Sequence, residues 1–372
     1  MSNEESLLAA IWEHPHDDLP RLVYADWLEE AGEPVRVARA EFIRVQCELA
    51  KMPADDPGRD RLIRRERDLW HRHRKAFRRG LSDYIRGSPF CRGFVAPPYR
   101  RLTSHKLFKN YVGILDQAPL WELFVRPTDG LDTLFTNALF KRIGRLELNW
   151  HHASIATLIS SPHACNLETL RWAYSGIETR DLEIMTSPNV LPHLIRLDVE
   201  GGSIGDRAAS LFASLPFAER VEELGLASNR IGPEGIRAMF GPSTFAKLTR
   251  LNLDGNRPGD AVVIALTESA RVPYLRHLEL AGLELTRVAA EAIANWPTAA
   301  SLRYLDLSGN SIDVSGVRAL TQSPYLRDLQ TLDLVVGDAG RSEILRRLWD
   351  RFGLVETIPR PGYGFRAGRL SD

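Results

Sequence analysis

The sequence predicts an α/β solenoid, with parallel strands on its concave side and helices on its convex side, preceded by a small all-α domain. Three observations predict it. The pattern Leu-x-x-Leu-x-Leu, with conservative replacements, begins at positions 194, 221, 248, 275, 302 and 329, a constant step of 27 residues. A proline recurs shortly before the next strand, at 162, 188, 216, 242, 273, 297 and 324, where it stops a helix and needs no N–H donor. The first 85 residues lack the motif and carry apolar residues at helical spacing instead.

The pattern reads Leu194-x-x-Leu197-x-Val199, Val221-x-x-Leu224-x-Leu226, Leu248-x-x-Leu251-x-Leu253, Leu275-x-x-Leu278-x-Leu280, Leu302-x-x-Leu305-x-Leu307 and Leu329-x-x-Leu332-x-Leu334. Leu167-x-x-Leu170-x-Trp172 extends the step backwards, and Ile143-x-x-Leu146-x-Leu148 and Leu120-x-x-Leu123-x-Val125 precede it at slightly shorter steps. A fixed period of this size with this strand motif marks a leucine-rich repeat solenoid. No coil can bury its own apolar face, so stability must come from stacking. Asn229, Asn256 and Asn310 share one place after the strand and are expected to satisfy turn backbone groups; Gly202 and Leu283 interrupt that series, as does His151. Asn229-x-Ile231-Gly232-x-x-Gly235 and Leu307-Ser-Gly-Asn-Ser-Ile312 resemble the ribonuclease-inhibitor-like subclass. That resemblance implies a curved array whose ligands bind the concave strand face.

In the N-terminal domain, residues 1–85, helices are expected over 2–12, from Asp17 or Asp18 to about 32, over 36–52 and over 60–79. Asp26 is expected to pair with Arg21 or Arg39. Leu7-Leu8-Ala9-Ala10-Ile11, Asp18-x-Pro20-Arg21-Leu22-Val23-Tyr24-Ala25-Asp26-Trp27-Leu28-Glu29-Glu30 and Arg39-Ala40-Glu41-Phe42-Ile43-Arg44-x-Gln46 resemble the bacterial repeat-companion domain, over about residues 1–52. That family implies a module accompanying repeats and no activity. The solenoid is expected over 86–340, with 86–119 as an N-terminal capping repeat: a strand at 90–95, then a helix at 103–117. Residues 341–372 are expected to hold a cap helix, with Leu345, Leu348 and Trp349 as its apolar stripe, and a Pro/Gly-rich irregular tail.

Net charge is zero, so bulk electrostatics selects no partner. The even total conceals a helix with ten Arg or Lys between 59 and 79, opposed by Asp60, Glu66 and Asp68. Arg64, Arg65, Arg78 and Arg79 are its candidate binding residues. Phosphate or an acidic surface would complement them. No recognised nucleic-acid motif accompanies the run, which argues against nucleic acid, and a solvated or internally paired face is the plainer expectation. Cys47, Cys91 and Cys165 lie far apart, so a reducing cytoplasm rather than a disulfide framework is expected. The start, Met1-Ser-Asn-Glu-Glu, reads as no secretory signal, and no apolar run is long enough to span a membrane.

Function is expected from residues that alternate with the buried leucines and so point to the other face of each strand. The candidate partner-binding set is Arg196, Asp198, Glu200, Arg250, Asn252, Asp254, His277, Glu279, Tyr304, Asp306 and Asp333. Its acids concentrate at the C-terminal end, so a protein with a basic surface is the complement. No Gly-rich phosphate loop, nucleophile elbow or Cys/His zinc set is present. No catalytic residue, metal, cofactor, small-molecule substrate or membrane contact is therefore expected, and acids on an open strand face are expected to keep ordinary pKa values. The alternatives are an adaptor for an enzyme complex, ubiquitin-ligase-like or a small-GTPase regulator, and nucleic-acid association through helix 59–79.

Overall fold

The structure is a computed structural model that describes residues 2–14, 17–53, 56–81, 89–95, 101–102, 122–125, 131–149, 155–174, 177, 179–240, 244–257, 259–269, 272–335, 341–352, 355–358 and 364–368. The chain packs as two units, Met1–Leu146 and Glu147–Asp372.

The first unit opens with four helices: α1 (Asn3–Glu13), α2 (Leu19–Glu30), α3 (Pro34–Lys51) and α4 (Arg59–Phe77). Their starts follow from local chemistry. Ser2 and Glu5 form a reciprocal capping box at α1. Pro20 and Pro34 sit in first turns, where no N–H is needed. Asp17, rather than Asp18, caps α2 by accepting from the Leu19 N–H at 2.9 Å. Asp18 is buried and pairs with Lys51 at 3.2 Å and Arg92 at 3.5 Å. The pair expected for Asp26 with Arg21 or Arg39 does not form. Asp26 binds Arg44 at 2.7 Å, and Arg44 also binds Glu29 at 2.6 Å. Arg39 instead lies over the rings of Phe77, Phe90 and Phe94, 4.8–5.6 Å from their centroids.

Residues 90–95, expected as one strand, are a hairpin: β1 (Phe90–Cys91) pairs antiparallel with β2 (Phe94–Val95). Arg92 and Gly93 both have positive φ, the geometry of a tight two-residue turn. Gly93 is required twice over, since a Cβ there would stand 2.2 Å from Ile43 Cγ1. The hairpin enters the helical core. Phe94 packs with Ile11, Trp12, Tyr24, Leu28 and Ile43, and Phe90 joins the cluster of Phe42, Val45, Leu69 and Phe77. Gln46 locks it there, accepting from the Gly93 N–H and donating to the Phe90 carbonyl. Later in this unit, β3 (Arg101–Leu102) runs parallel to β4 (Glu122–Val125), and α5 (Leu131–Thr136) follows. The helix expected at 103–117 lies outside the described residues. Strand β5 (Arg145–Asn149) spans the point where the second unit begins.

In the second unit, β6 (Thr169–Ala173), β7 (Arg196–Asp198), β8 (Glu223–Gly225), β9 (Arg250–Asn252), β10 (His277–Glu279), β11 (Tyr304–Leu307) and β12 (Thr331–Val335) pair in order, all parallel. Leu170, Leu197, Leu224, Leu251, Leu278, Leu305 and Leu332 face one another as direct register partners, and each is at most 2% exposed. The repeat step thus places like against like. Helices follow the strands: α6 (Ile155–Ile159), α7 (Thr179–Met185), α8 (Gly205–Ala209), α9 (Pro233–Met239), α10 (Asp260–Ser269), α11 (Arg287–Ala294) and α12 (Val314–Gln322).

Two side-chain ladders join the coils. Asn256 accepts from the Asn229 and Ile231 N–H groups and donates to the Leu226 and Leu253 carbonyls. Asn310 makes the equivalent bonds to Leu283, Leu285, Leu280 and Leu307, and Asn229 bonds Gly202 and the Val199 carbonyl. A second ladder runs near the helix starts. Asp206 accepts from the Gly232 N–H, and Asp260 from the Thr286 N–H and hydroxyl. At the C-terminal end, α13 (Arg341–Phe352) buries Leu348 but leaves Trp349 58% exposed, so Trp349 is not part of its apolar stripe. Two strands follow this helix, and the second lies in the tail, from residue 359 on, expected to be irregular. Here β13 (Val355–Ile358) pairs antiparallel with β14 (Gly364–Gly368), which pairs antiparallel with β12. It closes the sheet edge that a last repeat would leave unpaired.

Candidate functional site: the open face of the repeat strands

Between the buried leucines, side chains turn to the face away from the helices and form columns. The first column runs Thr169, Arg196, Glu223, Arg250, His277, Tyr304, Thr331, and the second Arg171, Asp198, Gly225, Asn252, Glu279, Asp306, Asp333. Glu200 and Asp254 lie just beyond the second.

The N-terminal part of this face is electrically closed. Arg171 reaches three carboxylates: Asp198 at 3.1 Å, Glu200 at 3.0 Å and Glu147 at 3.5 Å. The Tyr174 hydroxyl donates to Glu200 at 2.5 Å. Glu223 lies between Arg196 at 3.0 Å and Arg250 at 3.8 Å. Asp198 leans over Gly225, where a Cβ would come 2.6 Å from its Oδ1. Burial nonetheless raises the pKa of Asp198, with Arg171 opposing the rise.

The C-terminal part is organised by neutral donors. Asn252 Nδ2 donates to Glu279 at 2.8 Å, the Ala281 N–H to Asp254 at 2.6 Å and the Ser308 N–H to Asp306 at 2.7 Å. Tyr304 donates to Asp333 at 2.8 Å and stacks on His277, ring centroids 5.8 Å apart. Among the described residues, Asp254, Glu279 and Asp306 form no ion pair. Glu279 is pushed up to about 7, first by burial and then by the negative charges of Asp254 and Asp306, with Arg250 opposing. Burial also raises Asp254, against the Ala281 N–H. It lowers His277, helped by Arg250, and raises Tyr304, helped by the Asp333 bond. The expectation of ordinary pKa values on this face is therefore corrected. Neighbouring coils flank each side chain closely enough to remove water, and parallel pairing sets acids side by side.

Arg196, Asp198, Glu200, Arg250, Asn252, Asp254, His277, Glu279, Tyr304 and Asp306 stand on this face, half-buried or, for Arg196 and Arg250, exposed. Asp333 is only 3% exposed and sits in the strand that β14 covers, so it presents little surface. Arg171, Glu147 and Tyr174 complete the site. The periodicity puts Arg171 and Glu147 in their columns, but nothing local in the sequence marks one arginine as the hub of three acids. In the first unit, Arg65 is held by Glu41 at 2.5 and 2.6 Å, and Arg78 lies over Trp70 at 4.7 Å. Arg64 and Arg79 are exposed.

This arrangement can take up or release a proton near neutrality and attract cationic groups. Among the described residues, no group of three or more His, Cys, Asp or Glu could hold a metal ion, and no helix is long and apolar enough to cross a membrane. A leucine rich repeat family model matches residues 221–240 and 298–320. Among solved structures, the chain is similar to the yeast Rad7–Elc1 complex at 20% identity, over 62% of this chain and 68% of that one, with a TM-score of 0.42. It is also similar to the internalin InlF of Listeria monocytogenes at 19% identity, over 54% of this chain and 59% of that one, with a TM-score of 0.34. No curated protein matches the chain.

Proposed function

We propose that this chain, which carries leucine-rich repeats, is a non-enzymatic protein-interaction module that holds a basic segment of a cytoplasmic partner against the open strand face. One observation carries the reading: Glu279 and Asp306 are register partners on adjacent strands, Asp254 lies just past the end of the strand before them, and none of the three forms an ion pair among the described residues. Carboxylates gathered this closely repel one another, and a cationic side chain relieves that repulsion while supplying charge-assisted hydrogen bonds. Tyr304 and His277 provide a stacked aromatic flank for the stem of a lysine or arginine. Residues 1–52 would be the companion module delivered with the repeats.

The test is titration of a labelled arginine- and lysine-rich peptide into the full chain. Glu279→Lys with Asp306→Lys should weaken binding at least tenfold, and Arg196→Glu, which removes a cation from the compensated part, should not weaken it. Equal affinity for all three proteins would refute the assignment of the face.

A further inference from the structure

Helix α4 turns its apolar residues inward, where Leu69 and Phe77 are buried and Leu62 and Trp70 pack against them. Arg61, Arg64, Arg67, Arg72, Arg74 and Lys75 are all exposed on it. None has a side-chain ion pair or hydrogen bond among the described residues, in contrast to Arg65, which Glu41 holds. At 100° per residue, Arg61, Arg64, Arg72 and Lys75 form one stripe, and Arg67 and Arg74 flank it. Asp68 is the acid within it. From Arg61 to Lys75 the stripe runs about 21 Å at 1.5 Å per residue. Spacings of three or four residues between like charges destabilise a helix by a few tenths of a kcal/mol each, so the helix keeps these cations against a local cost.

We infer that this stripe binds the sugar–phosphate backbone of a nucleic-acid duplex without reading its bases. The alternative complement, an acidic protein surface, fits less well. Protein interfaces are anchored by apolar or aromatic side chains at their centre, and the stripe exposes none. Single strands are held by stacking on exposed aromatic rings, but Trp70 is covered by the Arg78 guanidinium 4.7 Å from its centroid. Phosphates require only closely spaced cations, and five of these six are arginines, whose forked donors match a phosphate's two oxygens. The missing nucleic-acid motif argues against base readout, not against backbone contact.

The experiment is fluorescence anisotropy of the full chain with a short DNA duplex, the matching RNA duplex and poly-glutamate, across a salt series. About five phosphate contacts predict a slope of log affinity on log salt near −4.5, roughly 500-fold weaker binding at 200 mM than at 50 mM salt. The triple variant Arg64→Gln, Arg72→Gln, Lys75→Gln should lose about 2.7 of that slope, with its thermal unfolding unchanged. Glu268→Gln, at an exposed helix position of the other unit, should bind duplex like the parent. A preference between the DNA and RNA duplexes names the source, and equal binding means backbone contact common to both. No duplex binding at 50 mM salt, an unaltered triple variant, or poly-glutamate bound as tightly as duplex would each overturn the inference.

Discussion

The two ends of one strand face treat charge in opposite ways. On β6 to β8, acids and arginines are interleaved and Arg171 alone serves three carboxylates. On β9 to β11 the backbone frame is the same, but acids occupy neighbouring places and their partners are amides, a hydroxyl and backbone N–H groups. A repeat scaffold therefore separates frame from surface. The buried leucines hold the columns in register, and each exposed position is free to vary. The first region spends its charges on itself, whereas the second leaves its acids to protons or to a partner.

Four substitutions probe that contrast. The largest effect tests the shared frame. Asn256→Ala removes four buried hydrogen bonds, three of them between coils, and should destabilise both regions together by about 2–4 kcal/mol in denaturant unfolding. A change below half a unit of that scale would show the ladder to be incidental. Next, Arg171→Met leaves three acids uncompensated. The expected loss at pH 7, discounted for solvent screening of a half-exposed guanidinium, is about 1–3 kcal/mol, shrinking as pH falls and Asp198, whose pKa burial raises, takes up its proton. A pH-independent loss would mean that packing, not charge, is what Arg171 supplies.

Glu279→Gln should act in the other direction. The folded pKa is raised above its ordinary value of 4.5 to about 7, so the native state binds the proton more tightly than the unfolded chain. The associated stability is present below 4.5 and is lost as pH rises to about 7. The variant should therefore melt higher than the parent at pH 8, by about 1–2 kcal/mol, and equally at pH 4. A variant less stable at pH 8 would sink the account of an uncompensated acid. The smallest effect is Gly225→Ala. Its methyl displaces Asp198 from Arg171, and about 1 kcal/mol or less should be lost, with Asp198 titrating higher by NMR.

Legibility followed the range of the forces involved. The strand register was readable because identical apolar residues recur at one step and can only be buried by stacking. The Asn ladder was readable because it shares that step. The Asp206 and Asp260 ladder shares it too, but acids at helix starts are common enough to pass as simple caps. The hairpin at 90–95 was misread as one strand: Arg92-Gly93 marks a turn only when β1 and β2 are seen to pair, and Gln46, far away in sequence, fastens it. The tail was misread because glycine and proline suggest irregularity until β12 offers an edge.

The 27-residue recurrence alone dictated parallel strands, the buried leucine column and which residues share the open face, since burial and backbone geometry leave one periodic solution. Tertiary structure decided the rest. It made Arg171 a hub, raised the pKa of Glu279 to about 7, turned Arg39 toward three aromatic rings and left Arg61, Arg64, Arg67, Arg72 and Arg74 of α4 without an ion pair among the described residues. Those outcomes depend on distances of a few ångströms between residues remote in the chain and on how much water remains around them, and no spacing in a sequence encodes either.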